Sequence, residues 1–239
     1  FDPVHAKAQG RAPAHMDPAT AALFPDRFGD DGLPEGWEMA RLADVCEHVK
    51  RTVKPQEHPG TTFQHFSLPA FDKGDGPEIV TGSQIKSNKL DVPNDAILFS
   101  RLNPSIPRVW WARVAPVRGA PAASTEFFVA RTPSEKETPW LYALLSSAGF
   151  RDDAMSRVTG TSNSHQRVPP TSLSQVEIVH PPREVREAFG SITLPWFRRA
   201  QAASDENRTL AALRDALLPK LMSGELRVRE AEAQAEQVA

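Results

Sequence analysis

The hydrophobic and polar positions of the chain change period along its length. Residues 1–36 show little periodicity, apart from one short helix predicted where Asp17 caps Pro18 and the alanine-rich residues that follow. We expect the rest of this segment to be an extended lead-in or linker. Residues 37–182 contain short apolar runs bounded by Gly, Pro, Asn and Asp, a pattern that indicates strands. This segment predicts a mixed α/β domain with a twisted sheet.

The middle segment predicts two helices and five strands. The predicted elements are helices 41–49 and 138–147, and strands 78–80, 96–100, 109–114, 126–130 and 176–179. Trp110 and Trp111 fall in one of these strands, where adjacent side chains point to opposite faces of a sheet. We expect both tryptophans to be core residues.

Residues 183–227 predict one long helix. Its apolar positions recur at three- and four-residue steps, as in the seam of a coiled coil: Phe189, Ile192, Trp196, Leu210, Leu213, Leu217 and Leu221. Pro195 predicts a kink or a restart, after which the helix would extend roughly 40 Å before stopping at Ser223-Gly224. Such a stripe needs a partner helix. The mixed domain and the long helix together predict the α+β class. The tail at 228–239 is expected to be disordered.

Composition narrows the function classes. The formal charge of −2 excludes a polybasic tail protein, although five arginines lie between Arg101 and Arg131 with Glu126 as the one acid. The longest apolar runs are far shorter than the about twenty residues of a membrane span. The single cysteine, Cys46, cannot form an internal disulfide, which suits a reducing cytoplasm.

Catalytic motifs are missing from the sequence. No Asp or Glu stands two residues before any lysine, which excludes the D/E-x-K core of many nucleases, and no phosphate-binding, dinucleotide-binding or nucleophile-elbow motif occurs. His48, His58 and His65 share one stretch, but their spacing matches no familiar metal site. We therefore expect a non-catalytic protein that binds no metal.

The passages at the two ends of the chain resemble the specificity subunit of type I restriction–modification systems. They are residues 1–8 with Leu23-Phe24-Pro25-Asp26 and Leu33-Pro34-Glu35-Gly36-Trp37-Glu38, and Glu206-Asn207-Arg208-Thr209-Leu210 through to Leu226. Residues 95–103 and 158–162 match common features of that family's recognition domains. The family's full subunit has two recognition domains and two conserved helices. This chain has one of each, so we expect either a C-terminal half, which its start favours, or a half-size subunit that pairs with a copy of itself.

The resemblance implies a cytoplasmic, DNA-associated protein of a bacterium or archaeon. One recognition domain would read half of a bipartite site in double-stranded DNA, and the long helix would act as spacer and subunit-docking element. Methyltransferase subunits and a restriction/translocase subunit would be the partners. S-adenosylmethionine, ATP and Mg²⁺ would be bound by those partners and not by this chain.

With this resemblance, the run from Gly160 to Arg167 is the strongest candidate for base reading. Its polar members are Thr161, Ser162, Asn163, Ser164, His165, Gln166 and Arg167. Asn and Gln suit adenine, Arg suits guanine, and hydroxyl groups suit phosphate. By composition alone, the run is more typical of a solvated turn, and only the resemblance reverses that preference.

Four further residues are candidates for DNA contact. Arg101 and Asn103 follow a predicted strand, Lys86 lies beside Gly82-Ser83, and Arg108 belongs to the arginine-rich stretch. A capping turn, an exposed polar loop and a solvated sheet face are the corresponding structural alternatives. For the whole chain, the alternative function is an interaction scaffold whose helix binds another protein without any contact to DNA.

Overall fold

The computed structural model describes residues 1–74, 76–159 and 166–227. The chain divides into two compact units, Phe1–Ile192 and Thr193–Ala239, with the boundary inside one long helix. None of the described helices combines the length and the apolar character needed to cross a membrane. The tail at 228–239, for which disorder is predicted, lies outside the described residues.

The helices and strands of the described residues confirm the predicted α+β class with a long C-terminal helix. The helices are α1 (Asp2–Ala8), α2 (Pro18–Ala22), α3 (Leu42–Val45), α4 (Leu68–Lys73), α5 (Thr138–Ser146), α6 (Ala148–Ser156), α7 (Pro170–Ser174) and α8 (Arg183–Met222). The strands are β1 (Glu38–Arg41), β2 (Glu47–His48), β3 (Thr52–Val53), β4 (Thr62–Phe66), β5 (Glu78–Thr81), β6 (Lys89–Leu90), β7 (Ala96–Ser100), β8 (Val109–Ala112), β9 (Ala120–Ala123), β10 (Phe127–Arg131) and β11 (Glu177–His180).

The described strands form three sheets, where the sequence predicted one. An antiparallel sheet has the order β2-β10-β7-β8, a mixed sheet has the order β3-β6-β9-β4-β5, and β1 pairs with β11. In the mixed sheet, β4 and β9 run parallel, and the other recorded strand pairs are antiparallel. Several of these strands have only two residues, too few to show an alternating pattern, which is why the sequence did not separate the sheets.

Strand β7 forms the centre of the core because both of its faces are covered. Ile97 and Phe99 pack with the side chains of α3, α5, α6 and α7, whereas Ala96 and Leu98 pack with Phe66 and other residues of the second core cluster. Trp110 packs against the second cluster and Trp111 against the first, so the two side chains lie on opposite faces as predicted, but each is only half-buried at the edge of the core. A strand buried on both faces reads as a continuous apolar run, and this made β7 easy to predict.

Several elements differ from the sequence prediction; among them, the predicted helix 41–49 is the short α3 (Leu42–Val45) followed by strand β2. Two further differences have identifiable reasons. Helix α1 occupies part of the segment expected to be extended, and its Val4 is fully buried. Strand β4 was missed because Gln64 stands at a buried position of the strand. Its side-chain amide donates hydrogen bonds to the carbonyl oxygens of Ala115 (2.9 Å) and Gly119 (2.6 Å) and accepts one from the Ala115 N–H (3.1 Å). A buried amide with all these partners is tolerated in a core.

The ends of two predicted helices are confirmed. Asp17 caps α2 through Oδ1, which accepts hydrogen bonds from the N–H groups of Ala19 and Thr20, both at 3.0 Å. Helix α8 ends at Met222, and Gly224 follows with a φ of 75°, the left-handed conformation that a glycine adopts most readily. The helix continues through Pro195 and does not restart there.

Candidate nucleic-acid interface

The structure joins the two segments that carry most of the predicted DNA contacts. Leu102, just after β7, forms an antiparallel bridge with Arg167. The N–H of Asn103 donates to the carbonyl oxygen of Gln166 at 2.9 Å, and the N–H of Val168 donates to that of Arg101 at 3.0 Å. Residues 101–103 and 166–168 therefore form one short two-stranded ladder, although about sixty residues separate them in the sequence.

A second backbone pair fixes the base of the predicted reading loop. The N–H of Thr159 donates to the carbonyl oxygen of Arg167 at 2.8 Å, and the N–H of Arg167 donates back to that of Thr159 at 3.2 Å. The intervening candidates Thr161, Ser162, Asn163, Ser164 and His165 lie outside the described residues. Gln166 is half-buried, and its carbonyl oxygen is used in the ladder.

The Arg101 side chain links the ladder to the neighbouring backbone. Its Nη1 donates to the carbonyl oxygen of Val168 (3.2 Å) and its Nη2 to that of Thr125 (2.5 Å). Burial lowers the pKa of this guanidinium, while Glu126 raises it and Arg167 lowers it further. Arginine keeps its charge in proteins, so Arg101 contributes a fixed positive charge to the site. Both of its terminal nitrogens therefore donate to backbone carbonyls.

Arg167 and Glu126 form the ion pair at the surface of the site. Nε of Arg167 lies 3.1 and 3.0 Å from the two carboxylate oxygens, and Nη2 lies 2.9 Å from Oε1. The hydrogen bond to Glu126 is the main reason why the pKa of Arg167 is raised. The Arg167 side chain is 41% exposed and that of Glu126 is 24% exposed. Glu126 was not among the site residues predicted from the sequence. The feature that could have identified it is that it is the one acidic residue among the five arginines from Arg101 to Arg131.

Asn103 is held in an unusual backbone conformation beside these groups. Its φ is 47°, in the left-handed region that Asn tolerates better than most residues. Its side-chain oxygen is buried and has no hydrogen-bond partner among the described residues. A buried polar atom of this kind normally has a partner, so the Asn103 side chain keeps one acceptor that the described residues do not satisfy.

Lys86 and Arg108 stand apart from the ladder in their contacts. The exposed ammonium group of Lys86 donates to the carbonyl oxygen of Ser83 at 2.6 Å. The Arg108 side chain is 13% exposed and makes two hydrogen bonds to Asp72, at 2.6 and 2.8 Å. The predicted role of either residue in DNA contact stays a prediction.

Acidic side chains from other parts of the chain neutralise some of the positive charge of the arginine-rich stretch, residues 101–131. Asp72 balances Arg108, and Asp95 lies 2.7 Å from Nη1 of Arg113. Both aspartates lie outside residues 101–131, and so a local count of charges overlooked them. The basic face expected from this stretch is therefore reduced, and positive charge at the ladder comes from Arg101 and Arg167.

The seam residues of α8 differ in exposure. Within the first unit, Phe189 and Ile192 line an apolar cavity of about 410 Å³ together with Phe24, Trp37 and Trp140. In the second unit, Trp196 is 76% exposed and Leu210 is also exposed. Leu213, Leu217 and Leu221 are partly exposed. The role of these residues in packing against a partner helix stays a prediction.

The three histidines of the stretch from His48 to His65 are not assembled into a metal site. The ring of His48 stacks on Phe128 with centroids 4.0 Å apart, and Nδ1 of His65 lies 3.4 Å from the carboxylate of Glu78, whereas His58 is exposed. Within residues 1–74, 76–159 and 166–227, no group of three or more His, Cys, Asp and Glu side chains could hold a metal ion.

Comparisons with known proteins agree with the fold and the motifs. No protein-family model matches the chain. The MjaIX type I restriction enzyme specificity subunit of Methanocaldococcus jannaschii is 27% identical over 211 residues, which cover 84% of this chain and 47% of that protein. The HsdS subunit of Thermoanaerobacter tengcongensis superimposes with a TM-score of 0.54 at 21% identity, over 82% of this chain and 50% of that one.

A third similarity concerns an assembled system. A chain from a structure that explains complex assembly and conformational transition in a type I restriction–modification system superimposes with a TM-score of 0.56 at 21% identity, over 80% of this chain and 49% of that one. The chain spans about half the length of the relatives that it matches. The resemblance to type I specificity subunits is thus confirmed.

Proposed function

We propose that this chain, a relative of type I specificity subunits, binds double-stranded DNA and reads one half of a bipartite recognition site. The observation that carries the proposal is the ladder of residues 101–103 with 166–168, which brings Arg101, Asn103, Gln166 and Arg167 to one place. These side chains supply donors and acceptors of the kind that discriminate base edges. Arg167 suits guanine, and Asn103 or Gln166 suits adenine.

The rigid base of the loop suits base reading better than a merely solvated turn. A side chain that reads bases must be held in position before binding, because ordering it during binding costs free energy. Four backbone hydrogen bonds and the two Arg101 contacts fix residues 101–103, 159 and 166–168. Thr161, Ser162, Asn163, Ser164 and His165 extend the same loop and are proposed to contact phosphates and bases.

In this proposal the chain is the non-catalytic part of a larger complex in the cytoplasm. Methyltransferase subunits that bind S-adenosylmethionine would modify the site, and an ATP- and Mg²⁺-dependent restriction/translocase subunit would cleave DNA. The second half-site would be read by another recognition domain, in the same polypeptide or in a second copy of this chain. The exposed apolar residues of α8, among them Trp196 and Leu210, support helix-to-helix docking with these partners.

An interaction scaffold without DNA contact is the second candidate function. The same exposed residues of α8 favour it, because a partner helix would cover them whether or not the first unit binds DNA. The two candidates differ in what the ladder does. In a scaffold, Arg167 and Gln166 only stabilise a loop.

Methylation mapping tests the proposal directly. Long-read sequencing is applied to cells that carry the complete system with the wild-type chain, with Arg167→Ala or with Gln166→Ala. We expect the methylated half-site to change or to become degenerate in the variants. Arg27→Ala is the matched control, because Arg27 forms a comparable pair with Glu35 far from the ladder in the sequence. An unchanged half-site in both ladder variants would remove the reading loop from the proposal.

Retention of the purified chain on DNA separates the two candidates. A DNA-binding subunit loses affinity steeply as the salt concentration rises, because phosphate contacts release counterions. A scaffold tested without the methyltransferase subunits shows no retention at any salt concentration.

A further inference from the structure

We propose that Glu126 is a specificity-determining positioning residue: it grips one edge of the Arg167 guanidinium so that the opposite edge is presented to a guanine. The inference rests on the proposed function and adds a residue and a base to it. Neither the base nor a role for Glu126 follows from the fold alone. Glu126 occupies some nitrogens of the Arg167 guanidinium and leaves another without a partner among the described residues.

A guanidinium has two edges, and each edge can donate a pair of parallel hydrogen bonds to one acceptor group. One edge is formed by Nε and Nη2, and the other by Nη1 and Nη2. Glu126 occupies the first edge, with oxygens 3.0 and 3.1 Å from Nε and 2.9 Å from Nη2. Among the described residues, Nη1 has no hydrogen-bond partner. The second edge therefore keeps one N–H on each terminal nitrogen, the pattern that binds O6 and N7 of guanine.

Glu126 is itself fixed at the end of a buried strand. Its carbonyl oxygen accepts a hydrogen bond from the Arg101 N–H at 2.8 Å, and its own N–H donates to Oγ of Ser124 at 3.3 Å. The next residue, Phe127, is fully buried in β10. The backbone of Arg167 is held by Thr159 on one side. Both ends of the ion pair are thus anchored, so the carboxylate defines the direction of the guanidinium.

The charge of Glu126 has a second consequence for DNA binding. A carboxylate beside Arg167 repels phosphates and balances part of the positive charge of the site. It therefore weakens sequence-independent attraction to DNA while it strengthens the geometry needed for guanine. Removal of the charge should raise non-specific affinity and lower base preference. A residue with only a structural role would not move these two quantities in opposite directions.

The test measures base preference at every position of the half-site. The full chain, alone and with the methyltransferase subunits encoded with it, is bound to a library of duplexes randomised over the half-site, and the bound fraction is sequenced. Arg167→Ala should remove roughly a ten- to hundredfold preference for guanine at one position. Glu126→Gln should reduce the same preference by about tenfold, leave the other positions unchanged, and raise retention on unrelated DNA at low salt.

Two further variants sharpen the test. Arg167→Lys keeps the positive charge, but an ammonium group cannot make a bidentate contact. The variant should therefore lose the guanine preference and keep the salt dependence of DNA binding. Glu35→Gln is the matched control. Glu35 accepts two hydrogen bonds from the corresponding edge of Arg27, each 2.7 Å long. The side chains of Arg27 and Glu35 are both more exposed than those of Arg167 and Glu126. It should change neither base preference nor non-specific retention.

The outcomes separate the inference from the function on which it rests. A wild-type chain that selects no sequence, alone or with its partners, overturns the proposed function. A wild-type chain that selects a half-site, with a guanine preference that survives Glu126→Gln or Arg167→Lys, overturns only the role of Glu126. A uniform loss at all positions in Glu126→Gln, together with a lower thermal midpoint, also overturns it, because that is the result of a structural role.

Discussion

Arg186 of α8 and Glu137, the residue before α5, form an ion pair in which both side chains are more than nine-tenths buried. Nη2 of Arg186 lies 2.8 Å from Oε2 of Glu137, and Nε lies 2.9 Å from the same oxygen. Nη1 donates to the carbonyl oxygen of Pro181, and the guanidinium lies 5.4 Å from the centre of the Trp140 ring. These contacts fasten the first turns of the long helix to the first unit.

Glu137→Ala should lower the free energy of unfolding by about 3–5 kcal/mol, because it leaves the buried Arg186 charge without its partner. Urea denaturation followed by circular dichroism measures the change. Glu35→Ala is the control, since that ion pair is exposed and should contribute less than about 1 kcal/mol. Equal losses in the two variants would contradict the buried pair as an anchor.

Gly190→Ala should destabilise the protein, against the usual rule that alanine stabilises a helix. A Cβ at Gly190 would lie 1.7 Å from the carbonyl oxygen of Lys136, which is closer than any real contact. We expect a loss of about 1–3 kcal/mol, as for other overpacked positions.

Gly149→Ala is the matched control for this close approach. Gly149 lies in α6, and a Cβ there would meet nothing within 4 Å. That variant should be neutral or gain up to about 1 kcal/mol from the higher helix propensity of alanine. Thermal melts of the two variants compare them, and a gain in Gly190→Ala would show that helix α8 has room at this point.

His48 should make folding stability depend on pH in the mildly acidic range. Burial, and secondarily the charges of Lys50 and Arg101, lower the pKa of His48 to about 4 from an ordinary value of 6.5. Between these values the unfolded chain binds a proton that the folded chain does not, so stability rises with pH and is lost as the pH falls. Burial lowers the pKa of His65 in the same direction.

Denaturant midpoints recorded between pH 4 and pH 7 test this dependence. His48→Gln should flatten the profile in part, with His65 accounting for some of the remaining slope. His58→Gln removes an exposed histidine from the same stretch and serves as the control. If it flattens the profile as much as His48→Gln does, the assignment to His48 is wrong.

Cys46 should react slowly with thiol reagents while the protein is folded. Its side chain is buried, Sγ donates to the carbonyl oxygen of Leu42 at 3.4 Å, and burial raises the pKa of the thiol to about 12. The reactive species is the thiolate, which is therefore scarce at neutral pH. Absorbance with a disulfide reagent should show slow modification in buffer and rapid modification of one thiol in guanidinium chloride. Fast modification of the folded chain would contradict the buried position.

An insertion in α8 tests its proposed role as a spacer. Seven residues near Ala203 add about two helical turns, or roughly 10 Å. Methylation mapping should show a gap between half-sites longer by about three base pairs, with the bases of each half-site unchanged. Ala203→Gln, which keeps the length, is the control. A change in the half-site bases would contradict a division between a reading domain and a spacer.

Several elements were predictable because their signals are local. Strand β7 was predicted at Ala96–Ser100 from one apolar run, and α5 from the Thr138-Pro139 start. Helix α8 was predicted from its three- and four-residue steps, and its end from Ser223-Gly224. In each case neighbouring residues carry the information, as capping, φ preference or side-chain period. Short strands such as β2 and β6 have too few residues for a pattern, so they were missed.

The sequence predicted the residues of the candidate site but not their arrangement in space. Arg101, Asn103, Gln166 and Arg167 were selected as residue types that suit DNA, without any indication that they lie together. The pairing of Leu102 with Arg167 depends on how the chain that follows β7, including α5 and α6, brings Arg167 back to the end of that strand. Backbone ladders between distant segments are set by packing of the whole domain, and local sequence does not specify them.

The sequence by itself determined the class of the protein: an α+β unit, a long apolar-striped helix, and end passages similar to type I specificity subunits. Only the tertiary structure decided which charges are paired. It joined Arg108 to Asp72, Arg186 to Glu137 and Arg167 to Glu126, pairs separated by 36, 49 and 41 residues. Period and capping act over one or two turns of chain. An ion pair forms wherever the packed core brings two side chains within about 3 Å, and that distance is fixed only when the core is complete.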